Sequence, residues 1–327
     1  MPSFADQLGL TEIDPNTFIS LVNPQRMGNG APIAYGGCPA SLVVHAACRT
    51  VKPTFHAYSV LGAFHGPTRI DRKVICRVTR TRDTKTFATR RVIALQTMDD
   101  GTERPCMEVM VDFQVEEPAM YEYSAPPSMP GILANDPFDP ATTASSEEVL
   151  DRLVATGHIS EAKAAAYRKM FGLGSDFFEL RQCTLGVSGQ NLNGLAKQLV
   201  TTQDHLPMTE KSSAEWQRAK DPLATEAQNM AALAFLMDGA LSFLPLVNDH
   251  KMFEDAGACS TLDFALRVMR PAVDMHGWHL RERKTVAAAA GRTFGESRLW
   301  DQQGNLVAVE TQACILRPLA AKVKANM

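Results

Sequence analysis

Apolar and polar positions along the chain follow the same order of patterns twice. In the first half, residues 39–49 are apolar on most faces, which predicts a buried helix. The runs that follow are rich in apolar, β-branched and aromatic residues, which predicts strands at 57–64, 73–80, 87–98 and 105–115. Asp99-Asp100-Gly101 lies between the last two runs and has the residues of a hairpin turn.

The second half repeats this order. Asp221-Pro222 combines an N-cap residue with a proline suited to a first helical position, and residues 227–244 are then apolar almost throughout. Strands are predicted at 261–268, 278–284, 293–300 and 306–316. Pro67 and Pro271 follow equivalent strands 204 residues apart, and Gly101 and Gly304 mark equivalent hairpins 203 residues apart. This agreement indicates duplication of one unit.

A buried helix followed by an antiparallel meander is the layout of a hotdog fold, and here it occurs twice. We therefore predict an α+β double hotdog, in which two antiparallel sheets are each wrapped round a buried helix. Residues 117–139 have linker composition, and 145–170 suggest a polar helical excursion. The predicted parts are an N-terminal hotdog (1–117), a linker with this excursion (118–172) and a C-terminal hotdog (173–327). Another α+β layout is also compatible with the pattern.

Charge and cysteine content narrow the class of protein. The formal net charge of −3 gives no electrostatic footprint for nucleic acid. The seven cysteines are odd in number and form no C-x-x-C pair, so reduced thiols are expected. No apolar run approaches the roughly 20 residues of a membrane span, and residues 1–10 do not resemble a signal peptide.

These features predict a cytoplasmic protein that does not interact with membranes. A peroxisomal location is the alternative, because Ala325-Asn326-Met327 faintly resembles a peroxisomal address. Asn326 lacks the basic charge of that signal.

Motifs for cofactor chemistry are not found in the sequence. Gly186-Val187-Ser188-Gly189 is one residue short of a nucleophile elbow, and Gly28 with Gly30 lacks the third glycine of a dinucleotide fingerprint. His276 and His279 have no third ligand at a useful spacing. We expect no cofactor and no metal.

One acidic residue interrupts the second apolar run. Asp238 lies in 231–241, among apolar residues and glycine, whereas the equivalent helix of the first half has no acid. Burial would raise its pKa toward the range of a general base. The structural alternative is an acid near the end of its helix, partly hydrated or bonded to a backbone amide.

The sequence from about Tyr35 to Pro318 resembles the type II acyl-CoA thioesterases, which are double-hotdog enzymes. Met237 to Pro245 resembles the family segment with the catalytic Asp, here Asp238. The strand from Cys259 to Pro271 resembles the segment with the catalytic hydroxyl, here Thr261, and Val307 to Gln312 resembles the strand with the catalytic Gln, here Gln312. The resemblance implies hydrolysis of acyl thioesters by a water that these three residues activate.

The first half also resembles the family, with two departures. Tyr35-Gly36-Gly37 and Thr89 to Gln96 are similar to family segments, but Cys38 replaces a frequent Gln and Leu61 replaces a His. We expect substrate contacts at Gly36 and Gly37, because glycines let a ligand approach closely. We also expect substrate contacts at Gly62 and Ala63, which stand where relatives have larger side chains and so suggest room for a bulky or unusual acyl group.

The resemblance implies an acyl-CoA or acyl carrier protein thioester as substrate, in fatty acid or polyketide metabolism, and assembly as a homodimer. The alternative function is that of a hotdog module in a biosynthetic pathway acting on carrier-bound acyl groups. A non-hydrolytic protein that binds or dehydrates acyl thioesters is the other alternative.

Overall fold

The computed structural model describes residues 2–28, 30–128 and 140–320. The first half opens with a short helix and two strands that the apolar pattern did not predict. It continues with the predicted helix and four strands. The elements are α1 (Phe4–Leu8), β1 (Leu10–Asp14), β2 (Thr17–Ser20), α2 (Gly37–Cys48), β3 (Phe55–Phe64), β4 (Ile75–Asp83), β5 (Phe87–Thr97) and β6 (Glu103–Val115).

A middle segment follows. The polar helical excursion predicted at 145–170 consists of two helices rather than one. The middle segment consists of β7 (Ala144–Ser145), α3 (Ser146–Ala155), α4 (Glu161–Phe177), β8 (Phe178–Gln182) and α5 (Val187–Asn191). The second half then repeats the helix and four strands after one more strand. Its elements are β9 (Ser212–Ala219), α6 (Glu226–Met237), α7 (Leu244–Asn248), β10 (Ala256–Val268), β11 (His279–Ala289), β12 (Arg292–Asp301) and β13 (Leu306–Pro318).

The thirteen strands of the described residues join one antiparallel sheet, in the order β1-β2-β4-β5-β6-β3-β10-β13-β12-β11-β9-β8-β7. The prediction of two separate sheets was therefore wrong, because the edge strands of the two halves pair with each other. The two halves meet where β3 pairs with β10, with Leu61 opposite Ala265. Gly101 and Gly304 have φ of 80° and 82° and lie in the β5–β6 and β12–β13 hairpins. The predicted α+β class and the matching hairpins are therefore confirmed.

The two long apolar helices pack against each other and against the sheet. Residues 37–47 of α2 and 229–237 of α6 are all buried, as a helix without a polar face requires. Their ends meet head to tail, since the Tyr35 hydroxyl, just before α2, donates to the Phe235 carbonyl near the end of α6 at 2.7 Å. The end of α6 is therefore placed at the beginning of α2.

Two predictions about α6 were wrong. The helix begins at Glu226 rather than after Asp221, because Thr225 is the N-cap and forms a capping box with Gln228. It also ends at Met237 rather than near Leu244, because Ala240 adopts a left-handed backbone with φ of 75°. Asp238 is therefore the C-cap residue of α6 and not an interior one.

None of the helices within the described residues is long and apolar enough to cross a membrane. The tail residues 325–327, which suggested a peroxisomal address, lie outside the described residues, as do linker residues 129–139.

Candidate active site

A cavity of about 850 Å³ is lined by residues of both halves and of α4. Tyr35 and Gly36 come from the beginning of α2, and Asp238 from the end of α6. Thr261 on β10 and Arg281 on β11 also line it. The structure thus brings two of the three predicted catalytic residues to one cavity, beside one of the four predicted substrate-contact residues, Gly36.

Asp238 lies between two helix ends of opposite polarity. As the C-cap of α6 it occupies the negative end of its own helix, where a carboxylate is unfavourable. It also lies within hydrogen-bonding reach of the Gly37 main-chain N–H, at the positive beginning of α2. Part of the residue borders the cavity, but its Oδ1 atom is sealed from solvent and has no hydrogen-bond partner among the described residues.

These surroundings raise the pKa of Asp238 to about 7, chiefly through burial. The Arg281 charge and the Gly37 N–H partly oppose that rise, since both stabilise the carboxylate. The structural alternative, an acid near the end of its helix or bonded to a backbone amide, correctly described the position of Asp238. A carboxyl group that titrates near neutral pH beside a cavity is nevertheless suited to accept a proton from water.

Gly36 and Gly37 allow the two helix ends to approach. A Cβ added at Gly37 would lie 2.4 Å from the Phe235 carbonyl oxygen, and one at Gly36 would lie 2.8 Å from Asp238 Oδ2 and 3.0 Å from the Phe64 ring. Neither glycine has a positive φ. Their role is therefore close approach, with Gly36 in contact with the carboxylate.

Replacement of Gly36 by Ala tests this contact. The added methyl would displace the Asp238 carboxylate, and we expect thioester hydrolysis to fall by about tenfold or more, because misplacing a catalytic group by 1 Å costs as much as 10²-fold. Steady-state rates would measure it. Gly172→Ala is the matched control, since a Cβ there meets nothing within 4 Å. Equal losses in the two variants would contradict the proposed contact.

Arg281 is a site residue that the sequence did not reveal. It is 2 % exposed and donates to three main-chain carbonyls at the end of α6, those of Leu236 (2.8 Å), Met237 and Gly239 (2.8 Å). Its Nε donates to Ser297 Oγ at 2.7 Å. The guanidinium therefore caps α6 and places a positive charge beside Asp238, although burial lowers the pKa of Arg281 to about 10.

Thr261 and Gln312 contact each other, 51 residues apart in sequence. The Thr261 hydroxyl donates to Gln312 Oε1 at 3.1 Å. Gln312 Nε2 donates to the main-chain carbonyl of Asp238 at 3.2 Å and to Glu310 Oε1 at 2.7 Å. Gln312 is fully buried, and both of its N–H groups have partners. It thus holds the backbone of Asp238.

Glu310 is the second residue that the sequence did not reveal. It is 2 % exposed, and burial raises its pKa to about 8. The Gln312 amide and the Arg281 charge oppose this rise. Burial therefore disfavours the charged form of a second acid near Asp238, which limits the negative charge at the site.

Other predicted contact residues lie away from the cavity. Within the described residues, neither Gly62 nor Ala63 lines it. A Cβ on Gly62 would lie 2.4 Å from the Phe264 ring, so that ring fills the space expected for an acyl group. Gly37 lies behind Gly36 and faces Asp238 and Phe235.

Comparisons with known proteins match both halves of the chain to the domains of one family. Residues 23–114 match the family described as acyl-CoA thioesterase N-terminal domain, and residues 186–316 match its C-terminal domain. No curated protein sequence matches the chain.

Solved structures resemble the whole chain. An acyl-CoA thioesterase II from Mycobacterium marinum is 20 % identical, with a TM-score of 0.66 and coverage of 97 % of this chain and 98 % of that one. A putative thioesterase II from Thermobifida fusca YX is 14 % identical, with a TM-score of 0.67 and coverage of 97 % and 98 %. A protein of unknown function with a hotdog fold from Alicyclobacillus acidocaldarius is 14 % identical, with a TM-score of 0.66 and coverage of 98 % and 100 %. At these identities the likeness shows the hotdog fold.

Proposed function

The chain belongs to the acyl-CoA thioesterase family and is a thioester hydrolase, and from that premise we propose that Asp238 is the base that activates the hydrolytic water. The supporting observation is the position of Asp238: a carboxyl group with a pKa of about 7, beside a cavity and at the meeting point of two helix ends. The reaction is acyl-CoA plus water giving a free acid and CoA.

In the proposed mechanism, a water in the cavity attacks the thioester carbonyl carbon. Asp238 accepts a proton as the new C–O bond forms, and the carbonyl oxygen becomes an oxyanion. The intermediate collapses, the C–S bond breaks, and the sulfur leaves as a thiolate. Because the free thiol has a pKa near roughly 8.5, it needs little protonation to leave, and Asp238 returns its proton to it.

The other predicted residues take distinct roles. Thr261 lines the cavity, and its hydroxyl donates a hydrogen bond to Gln312. The hydroxyl oxygen is therefore suited to accept a hydrogen bond from the water. Gln312 is a positioning residue, because it holds the Asp238 main chain and the Thr261 hydroxyl. The main-chain N–H of Gly36, which borders the cavity at the beginning of α2, is our candidate to stabilise the oxyanion, because the Gly37 N–H already faces Asp238.

Each half, in this proposal, is one hotdog unit, with α2 or α6 as its central helix and residues 118–172 as the connection. Assembly as a homodimer, and acceptance of an acyl carrier protein thioester in place of acyl-CoA, are further proposals. Light scattering of the purified protein would test the first. Rates on matched CoA and carrier-protein thioesters would test the second.

The rate of hydrolysis should depend on pH through Asp238. The base is the deprotonated carboxylate, so kcat/KM should rise with pH through about 7 and level off above it. It should fall about tenfold for each pH unit below that midpoint. A pH profile of thiol release from an acyl-CoA panel would measure it. A profile that is flat from pH 5 to 8 would contradict the assignment, and a protein that only binds or dehydrates acyl thioesters would release no thiol.

A further inference from the structure

Helix α4 presents one face to the cavity. Tyr167, Phe171, Gly174 and Ser175 line it, and their spacing of three or four residues places them on the same side of a helix. The helix belongs to the segment between residues 114 and 186, which neither family domain matches. Part of the cavity lining is therefore built by residues outside the two matched domains.

Phe171 meets two other phenylalanine rings at this cavity. Its ring centroid lies 6.2 Å from that of Phe243 and 6.2 Å from that of Phe253, and the last two centroids are 4.6 Å apart. All three residues line the cavity and are only partly buried. We call these three residues the aromatic wall. Because aromatic pairs at such distances attract each other, the wall is a well-defined apolar surface that borders the cavity.

Short links of chain connect the aromatic wall to the proposed active site. Phe243 follows Asp238 by five residues and is the N-cap of α7. The Cys259 thiol, two residues before Thr261 on β10, donates to the Ser242 carbonyl at 3.2 Å. The wall and the residues proposed to hold the water therefore line one cavity with only a few residues between them.

We propose that the aromatic wall binds the acyl chain of the substrate, and that Phe171 of α4 thereby determines how strongly long apolar chains are preferred over short ones. This inference rests on the proposed function. Three partly buried phenylalanines at one cavity leave apolar surface in contact with water until a ligand covers it. An alkyl chain covers that surface and requires no hydrogen bonds in return.

The chemistry of CoA disfavours it as the occupant of the wall. The pantetheine arm, which follows the reacting sulfur, carries amide groups, and phenylalanine rings offer no conventional hydrogen-bond partner for them. The adenine ring is able to stack on aromatic side chains, but the whole pantetheine arm and the pyrophosphate separate it from the reacting carbonyl. The acyl chain is the apolar part of the substrate that begins at that carbonyl.

Binding of non-hydrolysable thioethers tests this inference separately from hydrolysis. Calorimetry would compare S-ethyl-CoA with S-octyl-CoA in the parent protein and in Phe171→Ala. Each buried methylene contributes about fourfold in affinity, so the parent should prefer the octyl chain by about 10²-fold. Phe171→Ala should lower this preference by about tenfold through weaker binding of the octyl chain, with the affinity for S-ethyl-CoA unchanged.

Phe294→Ala is the matched control, because Phe294 is 40 % exposed but lies on β12, outside the lining of the cavity. It should keep the parent's preference. Phe253→Ala is the second variant of the wall if Phe171→Ala does not fold.

Two results for Phe171→Ala would overturn the inference. An equal loss of affinity for both thioethers would place the ring against CoA, and an unchanged preference would mean that the chain binds elsewhere. The proposed function is tested apart from these results. Thiol release by a parent that shows no octyl preference sinks only the inference, and an octyl preference that depends on Phe171 without thiol release sinks only the proposed function.

Discussion

Asp238→Asn should reduce kcat/KM for acyl-CoA hydrolysis by about 10²-fold or more. The amide is nearly the same shape, keeps the place of the side chain beside Gly36, and cannot accept a proton from water. General-base help typically supplies about 10²–10⁴-fold, so a loss in this range is the expected signature. The pH dependence near 7 should disappear with the carboxyl group.

If Asp238 were only a structural residue, its replacement would lower stability rather than activity. We expect no loss of stability, because burial disfavours the Asp238 carboxylate and the neutral amide should leave the melting temperature unchanged or raise it. Asp249→Asn is the matched control, because Asp249 is the C-cap of α7 but is exposed and bonds Lys251. Free-thiol release and thermal unfolding of both variants would separate the roles. Equal hydrolysis by the parent and Asp238→Asn would reject Asp238 as the base.

The sequence indicated the acid but not its surroundings. An Asp in an apolar run is visible without a structure, and so are the two glycines that precede the first buried helix. That Asp238 closes α6 depends on the positive φ of Ala240, a conformation for which alanine has no preference. The helix end could not be placed from the pattern, because residues on both sides of it are apolar.

Strand register would have revealed Glu310 but not Arg281. Residues two apart in a strand share a face, so an inward Gln312 already places Glu310 inward. On β11 the alternation of Leu280 with Arg281 favours an outward arginine. The structure buries both residues, because the end of α6 supplies carbonyls for the guanidinium. Such a partner, 45 residues away in sequence, cannot be identified by local pattern.

The buried polar residues of β9 were missed for a related reason. Strand β9 has Glu215 and Gln217 at inward positions, where a strand prediction looks for apolar residues. Its polar residues bond each other across β8 and β11 instead of contacting solvent. In sequence, a strand with buried polar residues therefore has the polar composition of a loop. Functional sites are where such departures from simple patterning are expected.

Arg281→Met should destabilise the protein more than any other single change considered above. The substitution leaves three carbonyls at the end of α6 without their donor and removes the positive charge beside Asp238. Breaking a buried charged network by removing one partner costs about 3–5 kcal/mol. Urea unfolding should show a fall of that size in the free energy of unfolding.

The same variant should also change the pH dependence of any hydrolysis that remains. Arg281 stabilises the Asp238 carboxylate, so its loss favours the neutral acid and moves the midpoint above about 7. Arg298→Met, on the neighbouring strand, is the control. Arg298 is more exposed and bonds Glu296 at 2.7 Å, so its loss should cost less than about 1 kcal/mol and leave the midpoint unchanged. If the two variants unfold at the same urea concentration, Arg281 does not hold the end of α6, and the position of the proposed base must depend on other contacts.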